Sequence, residues 1–421
     1  MVNAGSYADV ALNRILKKFN FNQRDKSFLT EISYGAIRRK IQLDKWIDYL
    51  GKIPSKKQPP LLRLLLHIGL YQLLEMDRIP SFAAINTTVE IAKHSQLKKL
   101  APMVNGFLRN VNRCIVEGKS IPKSDDFIDC FSFNYSLPKW ISKDLISWYG
   151  INKAEEIGLA LINNPSFDLR VNSLKVNRSK VKSQFKEIGV KVSDIETCLH
   201  GISLDAGYGS IKDLPGYKEG LWCVQDRSSQ WVANLLSPRE GEKILDACAA
   251  PGVKTTYIAE LMGDKGEIWA VDRSSERLNM IKNNTQRLCI NSVNITVGDS
   301  TELHKTSPRW INYFQKILVD APCSGLGTLS RNPDARWRIT KSNINKLIDL
   351  QKKILDSTSQ LLKVKGKIIY STCTLNPNEN IVQIQKFLER HNNFRLVSQN
   401  QILPDMKNGD GFFGAVLERV M

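Results

Sequence analysis

Apolar residues recur at helical spacing through the first quarter of the chain. ADVALNRILKKF, RDKSFLTEISYGAIRRKIQLDKWIDYL, LLRLLLHIGLYQLLEM, INTTVEIAKH and MVNGFLRNVNR all carry that period, with breaks at IPSKKQPP and DRIPSF. The pattern predicts helices throughout residues 1 to about 115. After the polar stretch EGKSIPKSDD the rhythm changes: SLPKWISKDLISWYG reads as a helix, PSFDLRVNSLKVN as a β-type run and SKVKSQFKEIGVKVSD as a further helix. A small α+β module is expected there. From Leu221 strands and helices alternate through ILDACAAPGVKT, GEIWAVDRS, NITVGDSTEL, FQKILVDAPCSGLG and GKIIYSTCTLNPNEN to FRLVS and GAVLERV. That alternation predicts a mostly parallel, doubly wound sheet. The expected divisions are residues 1–125, 126–220 and 221–421.

The stretch Ile244 to Thr255 organises the last of these. An apolar run ends in an acid, crosses small residues and a Pro-Gly, and enters a helix, so unpaired helical N–H groups face outward there. Ala247, Ala249 and Gly252 keep the approach open, as a cofactor cradle needs, although small residues also let a strand and a helix pack closely. A triphosphate loop would need glycine where Cys248 and Val253 stand, and the three spaced glycines of a dinucleotide fingerprint are absent. Asp272 ends the next apolar run, at about the interval where an acid reaches ribose hydroxyls. A nucleoside without a phosphate tail fits, and S-adenosylmethionine is the expected cofactor.

In such sheets the ligand lies off the carboxyl edge, where Asp246, Asp272, Asp299, Asp320 and Cys373 each follow a strand. Cys323, in DAPCSGLG, follows another. If their strands are neighbours, Cys323 and Cys373 meet beside the cofactor. An apolar-flanked cysteine is usually a small core residue, but these two sit in loop-like contexts. Thiols there suit one chemistry in particular. Carbon 5 of a pyrimidine is a poor nucleophile until a thiolate adds at carbon 6, after which it can accept a methyl group. Asp320 is placed to read the Watson–Crick edge of a flipped-out cytosine.

Composition adds a partner. The 421 residues hold 60 Lys and Arg against 42 Asp and Glu, a net charge of +18. An excess of that size favours a polyanion, though part of it is equally explained as solvated decoration. Arg38, Arg39, Lys40, Arg109 and Arg113 stand beside the apolar positions of the helical region, and Arg170, Asn172 and Asn177 are candidate contacts to a nucleic-acid strand. The first residues lack an apolar signal core, and the Leu61 segment is too short to span a bilayer, so it is expected to be a buried helix. Eight cysteines without paired spacing read as reduced thiols of a cytoplasmic protein, and five scattered histidines predict no metal site.

RDKSFLTEISYGAIRR, IGLYQLLEMDRIPSFAAINTTVEIAK and VNGFLRNVNR resemble the helical RNA-binding domain of the NusB family. DACAAPGVKT, VDRS, GDST, LVDAPCSGLGTLSRNPDARWR, YSTCTLNPNEN and DGFFGAVLERV resemble the successive motifs of RNA 5-methylcytosine methyltransferases. Together they resemble the bacterial Sun (RsmB) family, which methylates a cytosine of small-subunit (16S) ribosomal RNA. The resemblance implies an all-α NusB-like N-terminal bundle, a small α+β RNA-recognition-like module and a C-terminal Rossmann-like class I methyltransferase domain; a monomer is the expected state. It implies Cys373 as nucleophile and Cys323 as the group assisting product release. Cys248, Ala249, Ala250, Pro251, Gly252, Val253, Lys254, Asp272, Asp299 and Asp320 would line the cofactor, with Asp320 also touching the base. The family usually has glycine where this chain has Val253. A β-branched residue disfavours positive φ, so an ordinary backbone is expected at that position. An RNA-binding assembly or antitermination factor with a relic fold is the alternative, against which stand both thiols and the strand-end acids. A transfer RNA substrate is the third reading.

Overall fold

The computed structural model describes residues 6–205, 210–405 and 409–421. These form two compact units, one of residues 6–163 with 329–338, the other of the described residues within 164–328 and 339–421.

The first unit is helical. It runs α1 (Ala8–Lys18), α2 (Gln23–Arg38), α3 (Lys40–Leu50), α4 (Pro60–Glu75), α5 (Ser81–Lys93), α6 (Ala101–Val116), α7 (Phe127–Tyr135) and α8 (Lys139–Ile162). The apolar period places Leu62, Leu65, Leu66 and Leu70 of α4 inside, against Leu43 and Ile47 of α3 and Val104, Leu108 and Val111 of α6. The Leu61 segment is thus the buried helix its sequence predicts. Gly35 lets α2 meet Tyr71, because a Cβ there would lie 1.9 Å from the tyrosine ring.

Residues 329–338 complete this unit. The buried Arg336 guanidinium donates to the carbonyls of Arg38 (3.1 Å), Ser136 (3.2 Å), Leu161 (2.9 Å) and Leu329 (2.9 Å). Arg38 is itself buried and donates to the Ser330 carbonyl at 2.9 Å; Arg39 pairs with Glu75 at 2.9 Å, and the Lys40 amine lies 5.1 Å from the Trp337 ring centre. Three of the five basic positions noted in the helical region are therefore structural, and Arg109 and Arg113 are the exposed ones.

The second unit opens with an antiparallel sheet in the order β2-β3-β1-β4, from β1 (Phe167–Val171), β2 (Val192–Asp194), β3 (Gly201–Leu204) and β4 (Trp222–Val224), with α9 (Arg178–Glu187) after β1. Leu169, Val171, Val181, Phe185, Ile202 and Trp222 form its core. Arg170 and Asn172 do not face a nucleic acid. Arg170 is fully buried, donating to Glu260 (2.8 and 3.0 Å), Thr256 (3.0 Å) and the Val253 carbonyl (2.8 Å). Asn172 is buried on the carbonyls of Gly220 and Leu288, and Asn177 caps α9. Both side chains alternate to the face opposite Leu169 and Val171, where residues 220, 256, 260 and 288 cover them, so their polar atoms must be satisfied by protein.

The rest of the unit runs α10 (Arg227–Leu236), β5 (Lys243–Asp246), α11 (Val253–Leu261), β6 (Glu267–Asp272), α12 (Ser275–Leu288), β7 (Val293–Val297), β8 (Phe314–Asp320), α13 (Lys341–Ser359), β9 (Leu362–Thr372), α14 (Ile381–Arg390), β10 (Phe394–Ile402) and β11 (Phe412–Arg419). Its strands form one sheet in the order β10-β11-β9-β8-β5-β6-β7, parallel from β9 through β7, with β11 antiparallel to both neighbours. Strand order reverses at β5, between β6 and β8, which marks the edge where such sheets bind ligands.

Candidate active site at the carboxyl edge of the sheet

The loop after β5 is tied to both flanking strands. Ala247 N–H donates to the Leu318 carbonyl and Ala249 N–H to that of Val271, each at 2.9 Å. Gly252 then turns the chain into α11 with φ 91°, and a Cβ there would lie 2.9 Å from Ile281. Glycine is therefore required at 252. Val253 is the first residue of α11, so the positive φ does not fall on it.

Asp246 is buried. Thr255 donates to its Oδ2 at 2.7 Å, while Oδ1 has no hydrogen-bond partner among the described residues. Burial pushes its carboxyl up to about 7, opposed by the Thr255 hydrogen bond and reinforced by the charge of Asp320. Asp272, also buried, accepts from the N–H groups of Ser274 (3.0 Å) and Ala250 (3.2 Å). Arg277, which the sequence reading missed, donates to the Ala250 carbonyl at 2.6 Å and lies 3.6 Å from Asp272. Asp299 is exposed, and the N–H and hydroxyl of Thr301 hold its carboxyl below the usual range.

Asp320 ends β8 opposite Ser371 of β9, whose hydroxyl donates to Oδ1 at 2.9 Å. Lys254 donates to Oδ2 at 2.7 Å and lies 5.2 Å from the Phe412 ring centre. Burial works against the Lys254 charge, but Asp320 more than offsets it and its pKa rises. The amine of Lys254 thus bonds a carboxylate rather than standing free.

Neighbouring strands bring the two loop cysteines together. Cys323 Sγ and Cys373 Sγ are 3.4 Å apart. Gly327 N–H donates to the Cys373 carbonyl (3.0 Å), and Gly411 N–H to that of Gly327 (2.9 Å); a Cβ on Gly327 would lie 2.2 Å from the Gly411 oxygen. The hydrogen bond to Cys373, burial and the nearby Glu379 push the Cys323 thiol well up, so Cys323 holds its proton. Cys248 is also held as a thiol, chiefly by burial. All eight cysteines are unpaired. Among the described residues no His, Cys, Asp and Glu group could hold a metal, and no helix is long and apolar enough to cross a membrane.

Residues 233–418 match the family described as 16S rRNA methyltransferase RsmB/F, residues 2–113 the NusB family, and residues 137–210 the ferredoxin-like domain of RsmF/B-like methyltransferases. A probable ribosomal RNA small subunit methyltransferase B of Synechocystis is 42% identical, over 98% of this chain and 96% of the relative. The chain belongs to the RsmB/F methyltransferase family. Another member, from Bacillus subtilis, is 33% identical over 97% of this chain and 94% of its own length. A methyltransferase homologue from Pyrococcus horikoshii shares the fold over 70% of this chain and all of its own, with TM-score 0.62 and 27% identity. NSun6 from the same organism is alike in fold alone, at TM-score 0.61 and 22% identity over 68% of this chain and 98% of its own. Family membership makes the protein an enzyme of methyl transfer, with a NusB-like front and a ferredoxin-like module ahead of the methyltransferase domain.

Proposed function

We propose that this enzyme methylates carbon 5 of a cytosine in small-subunit ribosomal RNA, through a covalent bond between Cys373 and the base, as a cytoplasmic monomer. The observation that carries the reading is the 3.4 Å approach of Cys323 and Cys373, with Lys254, the partner of Asp320, close to Cys373. A binding protein has no use for two thiols at that spacing.

The edge suits S-adenosylmethionine. The unpartnered Oδ1 of Asp246 awaits a donor, Gly252 leaves the approach clear, and Asp272 keeps acceptor capacity for ribose hydroxyls. The segment Cys248 to Lys254 would line the cofactor, with Asp299 at the rim. Bound S-adenosylmethionine supplies an electrophilic methyl group on a sulfonium centre. The chain does the rest. Cys373 sulfur adds to carbon 6 of the cytosine as its proton passes to ring nitrogen 3 by way of Asp320, which Lys254 and Ser371 hold at that edge. Carbon 5 becomes nucleophilic and takes the methyl. With Cys323 assisting, water takes the carbon 5 proton; the electron pair of that C–H bond re-forms the 5,6 double bond and expels the Cys373 sulfur.

The test uses labelled S-adenosylmethionine and unmodified small-subunit RNA. Cys373→Ala is expected to transfer nothing, and Cys323→Ala to accumulate protein covalently trapped on RNA. Equal transfer by both variants and the parent would refute the thiol roles.

A further inference from the structure

A buried carboxylate outside the reaction just described touches both cysteine loops. We infer that Glu379 is a positioning residue that ties these loops together and so sets the approach of Cys323 to Cys373. The inference rests on the proposed function for its catalytic consequence, though not for its geometry.

Glu379 ends the short turn Pro377–Glu379 between β9 and α14 and is fully buried. Its Oε1 accepts from Ser324 N–H at 2.8 Å and from Gln351 Nε2 at 3.1 Å. Its Oε2 accepts from the hydroxyls of Ser324 (2.5 Å) and Thr374 (3.3 Å), which are themselves 2.6 Å apart. Ser324 follows Cys323 in the chain, and Thr374 follows Cys373. One carboxylate therefore bonds the residue beside each reactive sulfur.

The anchor is itself fixed. Tyr370 hydroxyl donates to the Glu379 carbonyl at 2.7 Å, and the side chain of Asn380 donates to the Thr374 carbonyl at 2.9 Å. Among the described residues no cation pairs with the carboxylate, which four neutral donors satisfy instead. Burial pushes the Glu379 carboxyl above its usual range, against the hydrogen bonds of Ser324, Gln351 and Thr374; a buried acid is costly for a purely structural link, which neutral groups would make more cheaply. Its charge also bears on the chemistry, since it helps to keep the Cys323 proton in place.

The spacing of the thiols can be read without methyl transfer. Diamide couples neighbouring thiols: two electrons and two protons pass to its azo bond, giving the hydrazine as a sulfur–sulfur bond forms. The Cys323–Cys373 disulfide is followed by peptide mass in the full chain, alongside steady-state transfer. For Glu379→Ala we expect coupling slower by roughly tenfold or more, as loosened loops lose effective concentration. Its kcat should fall by about a hundredfold, with both KM values within about threefold. Glu379→Gln keeps one acceptor oxygen while the hydroxyls reorient, and should restore most of the coupling rate. Coupling at the parent rate, or faster, overturns the inference. Slower coupling with undiminished transfer upholds the positioning role and instead sinks the thiol mechanism. Should Glu379→Ala not fold, Ser324→Ala, which removes one hydroxyl tie, decides in the same way.

Discussion

Helix α11 takes part in two ionic clusters, each pairing a cation with a carboxylate. In one, Arg170 meets Glu260, Thr256 and the Val253 carbonyl, and both charged side chains are wholly buried. In the other, Lys254 meets Asp320, whose side chain keeps 29% exposure, while a buried oxygen of Asp246 nearby has no donor. The first cluster is closed, with its charges matched from within. The second has room for a ligand to complete it. Charge does not separate the structural cluster from the reactive one; exposure and the satisfaction of the polar atoms do.

The comparison breaks most sharply at Arg170. Arg170→Met strands Glu260 without its partner, and thermal or urea unfolding should register a loss of about 3–5 kcal/mol. The double variant Arg170→Met, Glu260→Leu should regain much of it. A normal melt for the single variant would mean the closed cluster is not holding the module together. Asp320→Asn tests the open cluster: methyl transfer should fall by roughly a hundred- to a thousandfold, with little change in the melt. A stability loss as large as that of Arg170→Met would erase the distinction.

Asp246 sharpens it through pH. Its folded pKa, about 7, lies above the unfolded value, so the folded carboxyl keeps its proton while the unfolded one ionises. Stability should therefore fall as pH rises from about 4 to 7 and level off above, with a slope of up to roughly 1.4 kcal/mol per pH unit. Asp246→Asn should flatten that slope; an unchanged slope would assign it to other groups. The smallest effect is expected at Val253. As an ordinary helical position, Val253→Gly should cost about 0.5–1 kcal/mol, and S-adenosylmethionine affinity by calorimetry should stay within about threefold.

The large-scale layout is legible in the sequence because period is a local property. Helical spacing, its interruption and the later alternation require no knowledge of distant residues, and they yield the helical front, the small module and the parallel sheet. The meeting of Cys323 and Cys373 is legible too, since β8 and β9 are consecutive strands joined by a helical crossover. What stays hidden is the fate of individual polar residues. Arg170 in a β-type run looks the same whether it faces RNA or a carboxylate ninety positions away. Arg38 and Lys40 are likewise held by residues 330 and 337. Glu379 escapes notice for the same reason, since its donors come from Ser324, Gln351 and Thr374, far apart in the chain.

The nested course of the backbone bears on how such an enzyme is inherited. Residues 329–338 leave the later part of the polypeptide to finish the helical body, and Arg336 finds its carbonyl acceptors at positions 38, 136 and 161. Excising the codons for residues 1–163 would leave that guanidinium only the Leu329 carbonyl of its four acceptors. The front module is thus no interchangeable appendage: recombination that replaced it would also have to rewrite ten codons deep in the downstream half.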